Sequence, residues 1–348
     1  MGKNMKSKSE DMSILHEAMY WHREGDGVRC DLCPHRCYLR VGNIGICGVR
    51  KNVDNKLYSE VYGFVSAMSN DPIEKKPLFH FHPGSWIFSL STIGCNFRCM
   101  YCQNYELSRG LIPKSQLEYY TPEEIVSMAK KYGSKGIAWT YNEPSIWFEY
   151  TLDTSKISKK EGMYNVYVTN GYINEDPLRE IAPYLDAMNI DVKGFTGDFY
   201  KKYLGGTLEP VLNTVILAKS LKIHIELTYL VVPTLNDKKE DLEKYLDWVI
   251  ENLGLDVPLH FSRFHPDYKL DYLPATPIKT MQEIYKLAKD RMLRYVYIGN
   301  YPSTDFESTY CYNCGAKLIE RFGFDIKILN LSRDGKCKIC GANIPIIL

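Results

Sequence analysis

Ser85-Trp86-Ile87-Phe88-Ser89-Leu90-Ser91-Thr92-Ile93-Gly94-Cys95-Asn96-Phe97-Arg98-Cys99-Met100-Tyr101-Cys102 runs from an apolar stretch straight into three cysteines. Its aromatic and β-branched side chains predict a strand from Ser85 to Thr92, with Gly94 as the break. The cysteines then fall on the loop at the strand's C-terminal end. Outward from here, further strands are predicted at Gly136 to Tyr141, Tyr164 to Thr169, Ala187 to Asp191, His224 to Val232, Leu259 to Phe264 and Tyr295 to Ile298. Helical stretches separate them. Thr121-Pro122-Glu123-Glu124 reads as a cap, a first-turn proline and an acid, with Gly133 as the stop. Asn236-Asp237 opens another helix that Gly254 closes. This alternation predicts an α/β fold with a parallel sheet, a full or partial (β/α) barrel of the TIM type over residues 85–304. Such barrels build their chemistry at the C-terminal strand ends, where the three cysteines sit.

The eleven cysteines divide into four (Cys30, Cys33, Cys37, Cys47), three (Cys95, Cys99, Cys102) and four (Cys311, Cys314, Cys337, Cys340). In a reducing compartment disulfides are rare, so metal ligation is the expectation. Residues 1–84 read as a cysteine-rich leader and residues 305–348 as a separate C-terminal module. Cys311-x2-Cys314 and Cys337-x2-Cys340, each followed by glycine, have the paired-knuckle spacing of a tetrahedral four-thiolate site, either a zinc ribbon or a rubredoxin-like iron centre. Cys30-x2-Cys33-x3-Cys37-x9-Cys47 is less regular and suits either a second [4Fe-4S] cluster or zinc.

Three thiolates on one short loop can bind three irons of a cubane and leave the fourth bare. Zinc would be expected to complete a fourth ligand, and the other two groups need nothing from this loop. Cys-x3-Cys-x2-Cys, with Tyr101 before the last cysteine, resembles the radical S-adenosylmethionine superfamily. The resemblance implies a [4Fe-4S] cluster on Cys95, Cys99 and Cys102 whose open iron binds S-adenosylmethionine and cleaves it to a 5′-deoxyadenosyl radical.

It also gives roles to the other strand ends. Thr140-Tyr141-Asn142-Glu143-Pro144 looks like the segment that holds the cofactor's methionine amine, with Glu143 as the carboxylate and Asn142 beside it. Thr169 and Asn170, before Gly171, offer a hydroxyl and an amide to the ribose. By resemblance to glycyl-radical-enzyme activases, Asp191 would bind a ribose hydroxyl and Lys193 the cofactor carboxylate. Tyr101 belongs to the same cofactor set, and His265 would approach from a later strand.

Cys30-Asp31-Leu32-Cys33-Pro34-His35-Arg36-Cys37, Gly45-Ile46-Cys47-Gly48-Val49-Arg50 and Pro72-Ile73-Glu74-Lys75-Lys76-Pro77-Leu78-Phe79-His80-Phe81 resemble one branch, the AmmeMemoRadiSam radical enzymes, related to pyruvate formate-lyase activating enzymes. The likeness covers about residues 20 to 300. It implies a ferredoxin- or flavodoxin-type reductant and an association with Memo-like and AMMECR1-like proteins. The substrate stays open. A small molecule or alkyl chain, such as a lipid, would need a closed or apolar tunnel, and a glycyl-radical protein would need an open groove. A third alternative is a non-catalytic iron-sulfur electron carrier or zinc-ribbon binding protein.

With 43 basic against 42 acidic residues, no nucleic-acid partner is expected. The N-terminus, Met1 to Ser13, is polar and no run is long enough to span a membrane, so the expectation is a cytoplasmic protein. Only three glutamines occur, a composition resembling proteins from hot environments.

Overall fold

The computed structural model describes residues 15–348. All seven expected strands form, and an eighth precedes them: β1 (Ala67–Pro72), β2 (Trp86–Ser91), β3 (Gly136–Trp139), β4 (Tyr164–Thr169), β5 (Ala187–Asp191), β6 (His224–Val231), β7 (Leu259–Arg263) and β8 (Val296–Gly299). They lie side by side in chain order in one sheet. From β2 to β8 every neighbouring pair is parallel. β1 runs antiparallel to β2, with Ala67 opposite Ser91 and Pro72 opposite Trp86. β1 and β8 are the two edges of this sheet, so the barrel is partial rather than full.

Six helices fill the crossovers: α1 (Pro122–Lys131), α2 (Phe148–Lys160), α3 (Glu175–Ile181), α4 (Glu209–Ser220), α5 (Lys239–Leu253) and α6 (Ile278–Asp290). α1 begins as expected, since Thr121 accepts from the Glu124 amide while Glu124 bonds the Thr121 amide in return. α5 does not begin at Asn236: Lys238 is the cap residue, and Asn236 is buried with a different task. Gly254 ends α5 as expected, at φ +83°. The strands are buried on both faces because the helices cover the outside and the lumen is filled.

The filling is the segment after β1. Ile73, Leu78 and Phe81 pack against Ile87, Ala138, Val166 and Ala187 from four successive strands. Glu226 on β6 accepts from the amides of Phe79 and His80 at 3.0 and 2.7 Å, and Asn189 on β5 donates to the Pro77 carbonyl. A boundary at residue 84 would therefore cut through the sheet and remove its floor. Asp71, Glu74 and Lys76 are buried with it despite their charge.

The leader adds two three-stranded antiparallel sheets, Trp21–Glu24, Gly27–Cys30 and Tyr38–Arg40 in one and His16–Glu17, Arg50–Val53 and Lys56–Ser59 in the other. The C-terminal module is a third, Thr309–Tyr310, Lys317–Phe322 and Asp325–Ile328. This module is not free-standing. Cys311, Leu318, Ile319, Leu331, Cys337 and Ile344 share one apolar cluster with Phe79, Tyr295 and Tyr297. Arg321, fully buried, donates to the Phe79 carbonyl at 2.7 Å, and His80 bridges Pro345 and Tyr297. Among the described residues no helix is long and apolar enough to cross a membrane.

Candidate active site

The cluster loop leaves β2 and is pinned from three sides. Gly94 has φ +91°, and a Cβ there would stand 2.6 Å from the Cys47 carbonyl oxygen and 2.7 Å from a Val49 methyl, so only glycine fits. Asn142 donates to the Gly94 carbonyl at 2.9 Å, and Asn96, buried, donates to the Tyr172 carbonyl while accepting from Asn170. Further along, the Arg98 and Met100 amides bond the carbonyls of Leu204 and Tyr203. A loop with so many local anchors presents its sulfurs in fixed directions.

Cys95, Cys99 and Cys102 line a cavity of about 300 Å³ at the C-terminal strand ends, together with Asn142, Glu143, Thr169, Asn170, Asp191 and Lys193. The ends of β2, β3, β4 and β5 thus bring together the residues expected from the sequence, with two exceptions. The Tyr101 ring is buried beside Phe199 and does not line the cavity, although its hydroxyl lacks a partner. His265 is exposed and outside the cavity: Phe264 is the residue buried at this turn, held by Thr276, and its neighbour faces solvent.

Glu143 is fully enclosed. One carboxylate oxygen accepts from the Ser145 amide at 3.0 Å and the Thr169 hydroxyl at 2.7 Å, and the other from the Asn170 amide at 2.7 Å. Burial nonetheless raises its pKa above the ordinary carboxylate value, against these bonds. The Thr169 hydroxyl is thereby engaged with Glu143 and also accepts from the Gly171 amide. Asp191 and Lys193 pair at 2.6 Å. Burial would depress the Lys193 ammonium, but Asp191 and the Cys99 thiol more than offset it and raise its pKa. Asn236 holds this pair in place, donating to the Lys193 carbonyl at 2.8 Å.

Burial pushes the Cys95 thiol well up and Cys99 to about 11, each with help from its neighbouring thiols. Metal uptake here would therefore release protons. Lysines missed in the sequence complete the cavity. Lys75 and Lys76 line it from the filling segment, both bonded to Asp71, which also accepts from the Tyr141 hydroxyl at 2.6 Å. Their signal was two adjacent lysines before a proline within an otherwise apolar run, too far along the chain from the cysteines to be joined to them.

The C-terminal sulfurs Cys311, Cys314, Cys337 and Cys340 all lie within 4.8 Å of one another, close enough to ligate one ion. A larger cavity of about 680 Å³ opens at the opposite end of the barrel, between Lys135, Tyr164, Ile328 and Leu348. It lies away from the catalytic face and none of the eleven cysteines reaches it.

A partial barrel with three thiols at its C-terminal mouth defines an enzyme class, and comparison with known proteins agrees. Residues 89–249 match the radical SAM superfamily. The chain is 49% identical to the uncharacterized protein MJ0808 of Methanocaldococcus jannaschii, over 96% of this chain and 100% of that protein. It is 23% identical to the pyruvate formate-lyase-activating enzyme of Clostridium pasteurianum, over 57% of this chain and 87% of that enzyme. Among solved structures, SuiB of Streptococcus suis bound to S-adenosylmethionine aligns with a TM-score of 0.49 at 11% identity, over 62% of this chain and 52% of that one. Residues 89–249 form a radical SAM domain, and that domain implies a [4Fe-4S] cluster and S-adenosylmethionine.

Proposed function

We propose that Cys95, Cys99 and Cys102 hold the [4Fe-4S] cluster, that S-adenosylmethionine binds beside it, and that the resulting radical abstracts hydrogen from a polar substrate. The observation that carries this reading is the meeting of three thiols, a buried carboxylate and an ammonium on one cavity. The donor set fits the cluster: three soft thiols lining one cavity, with the Lys193 ammonium near Cys99 to balance anionic sulfur. When bound, the cluster supplies the electron that splits the sulfonium.

The protein's part is to hold and orient. Glu143, fixed by Ser145, Thr169 and Asn170, takes the cofactor amine. Lys193 takes its carboxylate and Asp191 a ribose hydroxyl, while Asn142 and Asn170 fix the loop that presents Cys95. Thr169 acts through Glu143 rather than on the ribose. Tyr101 acts by packing, and His265 has no part in this assignment.

The cavity lining supports a polar substrate over an alkyl chain. Apart from Phe97, Val168 and the cysteines, it consists of polar or charged side chains, with Lys75 and Lys76 both held by Asp71. The relatives named as activating enzymes keep a glycyl-radical protein as the second reading, and the leader motifs keep the AmmeMemoRadiSam branch with its Memo-like partner. A non-catalytic electron carrier would have no use for the enclosed Glu143 or the Asp191–Lys193 pair.

The test is anaerobic reconstitution with iron and sulfide, reduction, and quantification of 5′-deoxyadenosine. Wild type should form it and Cys95→Ala should not. A reduced, iron-replete wild type that binds S-adenosylmethionine without cleaving it would overturn the proposal.

A further inference from the structure

Cys30, Cys33, Cys37 and Cys47 line one small enclosed cavity in the leader, together with Arg50 and Ile46. Two of the sulfurs converge beside Gly45, where a Cβ would stand 3.7 and 3.8 Å from those of Cys47 and Cys37. Yet among the described residues only the C-terminal four sulfurs crowd together as ligands of a single ion. The wider leader set suits a multi-iron cluster, as does the loop set at the barrel mouth.

Arg50 is an independent pointer to a ligand. It is 1% exposed, and its Nε–H has no hydrogen-bond partner although it lines this same cavity. A buried, unpaired guanidinium donor is costly unless an anionic acceptor meets it, and a thiolate-ligated cluster is such an acceptor.

The position of the site gives its role. The Cys95 amide donates directly to the Cys47 carbonyl at 3.2 Å, and Gly94 leaves no room for a side chain between them. His35, from the same leader loop, bonds the Asn96 carbonyl at 2.7 Å. The four leader cysteines are absent from the lining of the S-adenosylmethionine cavity, so they lie behind the cluster loop and out of reach of a substrate there. On the other side Ile46 is 41% exposed, which leaves the centre close beneath the surface.

We infer that Cys30, Cys33, Cys37 and Cys47 bind an iron-sulfur cluster that relays single electrons to the cluster on Cys95, Cys99 and Cys102. This rests on the radical SAM reading of the barrel mouth. One electron leaves a reduced flavodoxin- or ferredoxin-type protein and enters the leader centre. It then crosses the Cys47–Cys95 contact to the second cluster, returning the leader centre to its oxidised form. From there it enters the sulfonium of S-adenosylmethionine, whose bond to C5′ breaks to give methionine and the 5′-deoxyadenosyl radical.

The test uses the reconstituted full chain, with Cys33→Ala removing the leader centre and Cys95→Ala removing the other. Electron paramagnetic resonance of the reduced wild type should show two clusters whose signals broaden each other, and each variant should show one unbroadened signal. Reduction of the barrel cluster by flavodoxin, followed in stopped flow, should slow at least tenfold in Cys33→Ala. Arg50→Lys should keep its iron but shift the midpoint potential of the leader centre. Zinc in place of iron at the leader site, wild-type spectra that are a plain sum of the two variants, or an unchanged flavodoxin rate would each overturn the relay. Such a failure would leave 5′-deoxyadenosine formation by wild type intact, whereas failure of the barrel reading would abolish it.

Discussion

Arg50→Met will strand a carboxylate in the interior between leader and barrel. Arg50 and Glu149, at the start of α2, are 1% and 2% exposed and pair at 2.9 Å. Glu149 also accepts from the Met19 amide at 2.7 Å, and Arg50 donates to the Met19 carbonyl, so three segments meet at one ion pair. Removing one partner of a buried pair costs about 3–5 kcal/mol, because the survivor keeps its charge without compensation. With an unfolding entropy of roughly 2.1 cal/mol/K per residue, a 348-residue chain loses roughly 4–7 °C of Tm. Glu149→Gln in the Arg50→Met background removes the stranded charge while keeping an acceptor for Met19, and should recover about 1–3 kcal/mol. Anaerobic thermal melts of the metal-free wild type, both single variants and the double variant supply the cycle. A Tm change below about 1 °C for Arg50→Met, or strictly additive losses in the double variant, would refute the reasoning.

Three further outcomes follow from the same structure. Gly94→Ala must move the Cys47 carbonyl or the Cys95 loop, and should lower both the stability, by about 1–3 kcal/mol, and the iron retained at the barrel mouth, read by metal analysis. Burial pulls the Lys76 ammonium down to about 8, from an ordinary value of 10.5, although Asp71 opposes this. Between those pH values the unfolded chain binds more protons, so this group's contribution grows as pH rises from 8 to 10.5 and is lost as pH falls through 8. It amounts to about 3 kcal/mol, and denaturant melts of Lys76→Met across that range should lack the rise. Cys311→Ser should lose one equivalent of bound metal and lower the Tm of the whole chain, because the module it anchors shares its core with Phe79, Tyr295 and Tyr297. A Tm equal to that of wild type would show instead that the module contributes nothing to the barrel.

The sequence alone determined the seven parallel strands, the α1 cap and the three cysteine groups, and it named most of the residues that the structure gathers around one cavity. These are local matters: strand periodicity, capping chemistry and thiolate spacing are written within a few residues of one another. In a strand-helix alternation the strand ends share one rim, so Glu143, Thr169, Asn170, Asp191 and Lys193 could be assembled from position alone. What only the tertiary structure decided depends on contacts between distant segments. β1 and the chain through Lys76 enter the barrel because apolar Ile73, Leu78 and Phe81 fill its floor. Asn236 looked like a helix cap, but the end of β6 needed its amide more, and it bonds both Leu230 and Lys193. The Thr169 hydroxyl donates to Glu143 because a buried carboxylate lay within reach. The contact of Cys47 with Cys95 joins residues far apart in the chain through one backbone hydrogen bond, which no side-chain pattern encodes.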